Sequence, residues 1–442
     1  MKAPIAGWGN HPRIEASLAS PRYVDELGEL LSRSTSCIAR GNGRSYGDAS
    51  LNSELTIATS HLDRILALDL EKGLIRCEAG LLLADLLDLL VPRGWFVPVV
   101  PGTSLVSIGG MAAADVHGKN HHKDGGFGRF VTDMEVLTGD GQVHHCSAEN
   151  NPELFAATLG GMGLTGIILT VTFRLMRLPS RWIRQTTVAA RDLAEIMDCF
   201  ESRVATSYTV AWIDCLAGGR ARGRSLFFGG EHVEFESLPG AYQQTKSNWR
   251  PRQRPVPIHA PSMLLNRWSV GLFNRLYHWR GRRRPQSELV GIAPYFFPLD
   301  SLANWNRLYG RRGFVQHQCV LPMESSARGL QAILKQTSSS GQGSMLAVLK
   351  LLGEQAGPLS FPMRGYTLAM DFPASRASLA LLRELDAIVR DHQGRIYLAK
   401  DACASADDIR RGYPALDQLM AVREQYQCRG FRSLLSDRLA LS

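Results

Sequence analysis

The order in which glycines meet regular segments constrains this chain more than any other feature. Three glycine clusters lie between residues 41 and 166: Gly41-Asn42-Gly43-Arg44-Ser45-Tyr46-Gly47-Asp48, then Pro101-Gly102-Thr103 with Ile108-Gly109-Gly110, then Gly161-Met162-Gly163-Leu164-Thr165-Gly166. The last matches G-x-G-x-x-G, but a helical segment precedes it and a strand-like run follows. A Rossmann dinucleotide site needs strand, then glycines, then helix, so that fold is excluded. No G-x-x-x-x-G-K-[ST] occurs, which excludes P-loop chemistry. In the first cluster, two glycines two apart permit positive φ and turn successive backbone N–H groups toward an anion. Arg44 and Ser45 add a charge and a hydroxyl suited to a pyrophosphate; a tight surface turn would use the same residues. The small residues of the second cluster let a flat or extended ligand approach the backbone. Together the clusters point to a long ligand cradled by several loops.

Residues 1–178 alternate short strands with these turns. Strands are predicted at 37–40, 73–79, 95–100, 130–138, 142–146 and 166–175, with helices at 81–90 and 152–159. After Pro179 come strands at 207–214, 225–228, 313–321 and 366–372, and helices near 300–309, 325–338 and 374–393. Residues 237–287 interrupt this pattern with Pro, Arg and Trp. A last strand is predicted at 394–400, and the remainder is helical. The expected architecture is α+β with two subdomains: 1–178, an inserted α+β subdomain at 179–393 with its excursion at 237–287, and a return to the first at 394–442. The longest apolar stretch, residues 81–91, is broken by Asp85 and Asp88 and is too short to cross a bilayer. Residues 1–13 carry no apolar signal-peptide core.

The second cluster runs into Asp115-Val116-His117-Gly118-Lys119-Asn120-His121-His122. His117 and His121 have the spacing of a metal pair on a helix, but Gly118 disfavours a helix and no carboxylate completes a set, so no metal is expected. Solvated loop histidines and a redox-site histidine both fit this run. The eight cysteines are scattered without C-x-x-C, which argues against a zinc ribbon or disulfide framework and for a reducing compartment.

The formal net charge of +9 is unevenly placed. Between Glu236 and Glu288 there is no acidic residue but ten basic ones: Lys246, Arg250, Arg252, Arg254, Arg267, Arg275, Arg280, Arg282, Arg283 and Arg284. The other 40 Lys and Arg nearly balance the 41 Asp and Glu. Arg alternates with Trp249, Trp268, Tyr277 and Trp279, yet no nucleic-acid-binding fold surrounds them, and no nucleic-acid partner is expected. One reading of this segment is a solvated excursion. The other is a surface element that places 246–284 on an anionic membrane, because residues 261–279 interleave Leu, Trp, Val and Phe with arginine.

The glycine clusters resemble the FAD-binding domain of the vanillyl-alcohol-oxidase superfamily. Residues 115–122 and 161–167, with Phe297-Pro298-Leu299-Asp300, Pro358-Leu359-Ser360-Phe361-Pro362 and Tyr397-Leu398-Ala399-Lys400-Asp401, are similar to the decaprenylphosphoryl-β-D-ribose 2-oxidase family. These blocks run from near residue 38 to near 415. The resemblance implies a two-subdomain (PCMH-type) fold holding FAD non-covalently. Arg40, Gly41, Asn42, Gly43, Arg44, Ser45 and Tyr46 would wrap the pyrophosphate. Gly102, Thr103, Gly109, Gly110, Gly163, Gly166 and Ile168 would line the rest, and His117, Gly118, Asn120, His121, Tyr397, Ala399 and Lys400 would approach the flavin ring. Trp212, Gln316, Gln318, Lys350, Thr367 and Ala369 would complete a substrate pocket. The family commonly has Asn at Thr367 and Cys at Ala369, so pocket shape and thiol reactivity depart from it here.

The implied reaction is oxidation of the C2 hydroxyl of a polyprenyl-phosphate-linked ribose to the 2-keto sugar. A separate short-chain dehydrogenase would complete the epimerisation to arabinose for the cell envelope. Lys400 is the expected electrostatic catalyst, while His117 either accepts the hydroxyl proton or packs on the flavin. The expected location is cytoplasmic, peripheral at the inner membrane face. Rival readings are an alditol or aldonolactone oxidase of a soluble sugar, and a lipid-phosphate-binding protein with a vestigial flavin site.

Overall fold

The β-branched and apolar runs of the glycine-rich half form strands that sort into two sheets. The computed structural model describes residues 2–244, 249–250, 253–261 and 264–442. Cys37–Arg40 lies parallel to Leu55–Ala58, which lies parallel to Arg13–Ala19; Lys2–Ala6 pairs antiparallel at the far edge. The second sheet is antiparallel, ordered Ile65–Asp69, Leu74–Glu78, Ile167–Arg174, Val131–Leu137, Val143–Ser147. Its central strand is covered along most of its length, which is why it reads as one apolar run rather than an alternation. Helix Leu83–Leu90 buries Leu83, Leu86, Leu87 and Leu90, the i, i+3, i+4, i+7 stripe of a core-facing helix. Its two aspartates face outward, where Arg250 pairs with Asp85 at 2.8 Å and Asp88 at 2.6 Å.

The remainder is built on one eight-stranded antiparallel sheet. Its order is Ser287–Gly291, Trp182–Ala190, Ser225–His232, Tyr208–Ile213, Val348–Leu352, Gly365–Pro373, Phe314–Pro322, Arg395–Ile396. Helices Leu193–Glu201, Met323–Ser340 and Arg376–Asp391 pack against it. The end of the chain then ties back to the first half. Arg432 N–H donates to Cys37 O, Leu434 N–H to Leu51 O, and Gly139 N–H to Tyr426 O.

Several elements differ from the sequence reading. Only Trp95–Phe96 of the run 95–100 pairs as a strand; Pro98 and Pro101 cannot donate to a ladder. The helix expected at 300–309 is two short 3₁₀ turns, Pro298–Ser301 and Trp305–Tyr309, parted by Asn304 at φ 58°. Of 394–400, only Arg395–Ile396 is extended, and it pairs with Phe314–Pro322 in the large sheet before the chain turns. The excursion 237–287 contains a 15-residue helix, Arg267–Gly281; Lys246 and Arg252 lie outside the described residues. Among the described residues, no helix is long and apolar enough to cross a membrane.

Candidate active site

The glycine loops and one face of the large sheet enclose a cavity of about 980 Å³. At one end lies the loop Gly41–Tyr46. Gly43 sits at φ +62°, a conformation that costs a side chain strain. A Cβ on Gly41 would collide with Ser107 Oγ, and one on Gly109 with Ala79, so the loops meet only because both are glycine. No protein acceptor among the described residues takes the backbone N–H groups of residues 42–45. The Arg44 guanidinium lies 3.9 Å from the centre of the Trp8 ring, and its Nε is buried without a partner. This end offers donors and positive charge but little to satisfy them, the signature of an anion site. Asp300 fixes the neighbouring loop, accepting from Thr103 Oγ1 at 2.6 Å and from the Ser104 N–H and Oγ at 2.7 Å.

The opposite wall follows from strand alternation. Gln316 stands opposite Asp371, Gln318 opposite Ala369, Lys350 opposite Thr367, and Trp212 opposite Val348. Residues two apart on each strand share a face, and all eight line the cavity. Lys400 enters on the turn after Tyr397, whose carbonyl accepts the Lys400 N–H at 2.9 Å. Its Nζ lies 3.3 Å from the centre of the Tyr46 ring, and Tyr46 N–H donates to Ala399 O at 3.0 Å. Arg438 binds both Asp48 and Asp401 at 2.9 Å, so one guanidinium ties the pyrophosphate-type loop to the lysine turn.

The buried charges are unbalanced. Lys119, Lys350 and Lys400 face the same cavity as Asp371 and Asp300. Burial lowers Lys119 to about 7 and Lys350 to about 8. Burial also lowers Lys400, with Asp371 opposing and Lys350 reinforcing the shift. Asp371 is pushed up by burial against a hydrogen bond from Gln316 and the charge of Lys400. His117 is driven well below its ordinary value by burial, then by Lys350, His121 and Lys400. It is therefore neutral, and the Gln318 amide, with Nε2 at 2.9 Å, donates to its Nε2.

A family model described as an FAD binding domain matches residues 18–147. The decaprenylphosphoryl-beta-D-ribose oxidase of Mycolicibacterium smegmatis is 33% identical over 449 aligned residues, spanning 99% of this chain and 97% of that protein. The chain belongs to the decaprenylphosphoryl-β-D-ribose oxidase family. Like its relatives it is an FAD-dependent oxidoreductase. An uncharacterised Streptomyces coelicolor protein is 34% identical over 76% of this chain and 94% of its own length. The L-gulonolactone oxidase of Bos taurus is 31% identical over 42% of each chain. The cavity fits the cofactor that the family implies: the unpartnered Arg44 Nε and loop N–H groups suit a pyrophosphate, and the glycine-lined passage beyond suits a flat ring system.

Most site residues expected from the family likeness line the cavity: Gly41, Asn42, Gly43, Arg44, Ser45, Tyr46, Gly102, Thr103, Gly109, Gly110, His117, Gly163, Gly166, Ile168, Tyr397, Ala399 and Lys400. Four others lie outside the cavity lining. Arg40 turns to Ala6 O at 2.7 Å and Ser50 Oγ at 3.2 Å, bracing the loop from behind. Asn120 donates to Pro98 O at 2.9 Å and Asp124 at 2.7 Å. Gly118 packs against Asn120 and Val100. His121 accepts from Gly353 N–H at 3.1 Å and faces a separate, smaller recess. The sequence reading missed Asp371, Lys119 and Tyr295. The two-residue period through Thr367 and Ala369 reaches Asp371 directly. Lys119 donates to Tyr295 O and lies 4.2 Å from the Tyr295 ring centre, a pairing across distant segments that no local pattern reveals.

Proposed function

We propose that the chain oxidises the C2 hydroxyl of a polyprenyl-phosphate-linked ribose to the 2-keto sugar, with FAD held non-covalently. The excess of ammonium groups facing the cavity carries this reading: Lys119, Lys350 and Lys400 against Asp371 and Asp300 suit an anionic, phosphate-bearing substrate better than a neutral lactone. The lining also includes the apolar Phe273, Val290 and Pro294, which suit a prenyl chain.

Bound FAD supplies a two-electron acceptor for the substrate C–H bond. The protein's part is to orient that bond and manage a proton and a charge. Neutral His117 takes the hydroxyl proton at Nε2 once the substrate displaces the Gln318 amide from it. Lys400, braced by Tyr46 and by the Asp401–Arg438 pair, would offer a positive charge to the bound flavin. Gln316 orients Asp371, whose carboxylate raises the proton affinity of Lys400. Trp212 is pinned by its indole N–H to Met345 O at 3.0 Å and shapes the sugar pocket with Thr367 and Ala369.

The keto product requires a separate reductase, of the short-chain dehydrogenase class, to give the arabinose epimer. We place the chain at the cytoplasmic face of the inner membrane, where a polyprenyl-phosphate substrate resides. Anaerobic titration with a short-chain polyprenylphosphoryl ribose should bleach the flavin. Bleaching by aldonolactones instead would favour the soluble-sugar reading.

A further inference from the structure

The segment around helix Arg267–Gly281 carries an exposed apolar face that the oxidation chemistry leaves unexplained. Asn266 caps the helix by accepting from the N–H groups of Trp268 and Ser269. Its inner side, with Val270, Asn274 and Gly281 buried, packs on strands Trp182–Ala190 and Ser225–His232. A Cβ on Gly281 would collide with Leu226, so the backbone sits directly on the sheet. The outer side presents Trp268, Leu272, Leu276 and Trp279, spaced four, four and three residues apart and therefore in one stripe. These side chains are 84, 60, 52 and 53% exposed, a stripe that a water-facing helix does not carry. Ile258 and Leu264, earlier in the same segment, are exposed as well.

The rim of the patch is basic. Arg267, Arg275, Arg280, Arg282, Arg283 and Arg284 are exposed, and no Asp or Glu occurs between Glu236 and Glu288. Arg283 lies 3.7 Å from the centre of the Trp279 ring, holding a cation beside the apolar stripe. The same segment borders the cavity: Phe273 and Tyr277 on the helix and Arg284 just after it line the cavity, whereas Leu272 and Leu276 do not.

We propose that this helix seats the chain on an anionic lipid leaflet, with the mouth of the cavity opening onto that leaflet. Trp268, Leu272, Leu276 and Trp279 enter the interfacial region while the arginines meet headgroup phosphates. A leaflet supplies apolar depth and negative charge over one continuous surface, which matches an apolar stripe bounded by cations. The identity of the molecule that enters from the leaflet rests on the function proposed above; the docking itself does not.

Co-sedimentation of the FAD-loaded chain with vesicles of phosphatidylglycerol and phosphatidylcholine tests the proposal, with phosphatidylcholine vesicles as the comparison. The chain should pellet with the anionic vesicles, and far less with the neutral ones or at high salt. The double variant Leu272→Glu, Leu276→Glu should bind at least about tenfold more weakly. Arg282→Ala with Arg283→Ala should cost about fivefold per arginine on anionic vesicles. Retained flavin absorbance and unchanged flavin reduction by a short-chain substrate in solution show that the variants are folded. A wild-type chain that stays in the supernatant overturns the proposal, as does equal pelleting of the leucine variant. A wild-type dimer that ignores vesicles and becomes monomeric in the leucine variant overturns it in favour of self-association. Failure of the short-chain substrate to reduce the wild-type flavin counts against the substrate reading alone and leaves the vesicle result standing.

Discussion

Asp371→Asn removes one negative charge from the cavity with almost no change in shape. Asp371 is buried, accepts a hydrogen bond from Gln316, and is the anion that opposes the lowering of Lys400 by burial. An opposite charge at close range moves a pKa by about 1–3 units. Burial raises Asp371 itself, so its carboxylate is only partly ionised near neutrality, and the lower end of that range applies. The substitution should lower Lys400 by about one unit, or about 1.4 kcal/mol. The sign follows directly. Lys400 is useful as a cation, its charge is lost as pH rises through its pKa, and removing Asp371 brings that loss to lower pH. The alkaline limb of the kcat profile should therefore move about one unit toward acid. Turnover should fall about tenfold on the alkaline side and stay near wild type on the acid side. Steady-state kinetics of both enzymes across pH, with saturating substrate and matched FAD content, make the comparison. An alkaline limb that stays in place, or moves to higher pH, would show that Asp371 does not set the charge on Lys400.

Lys400→Ala should abolish turnover while the purified protein keeps its flavin absorbance, because Lys400 braces Tyr46 but leaves the Gly41–Ser45 backbone in place. Gly109→Ala should purify with little FAD, because its Cβ would drive the second glycine cluster off Ala79; cofactor content per chain measures this. Arg438→Ala strands two buried carboxylates, Asp48 and Asp401, and should cost about 3–5 kcal/mol in denaturant unfolding. Ala369→Cys places a thiol in the cavity, whereas seven of the eight native cysteines are buried away from reagents. The variant should lose activity to a small alkylating agent, with substrate protecting it, under conditions that spare the wild type.

The glycine-rich half was legible because its turns and strands are set by local chemistry. The runs 37–40, 131–137 and 167–174 each have a glycine at or near one end, and helix Leu83–Leu90 carries its own apolar stripe. The large sheet was harder. Val348–Leu352 hides as a strand because Lys350 interrupts an apolar run, and it does so to face the cavity. Asp371 resembles a polar residue near a strand end until Gln316, from a strand 55 residues earlier, covers it. His121 and Asn120 share the motif of His117, but loop geometry sends His117 and Lys119 into the cavity and not them, and sequence spacing carries no such direction. Helix Arg267–Gly281 shows a related limit. Periodicity in Leu and Trp marks an amphipathic segment, yet only the structure reveals that Trp268 and Leu272 face outward while Asn274 is buried.

Anaerobic reduction of the bound flavin tests the central claim most directly. A short-chain polyprenylphosphoryl ribose added to the FAD-loaded chain should bleach the flavin band in equal stoichiometry and yield a 2-keto sugar phosphate, while L-gulono-lactone should leave the band intact. Bleaching by the lactone with no response to the phosphate-linked ribose would contradict the account.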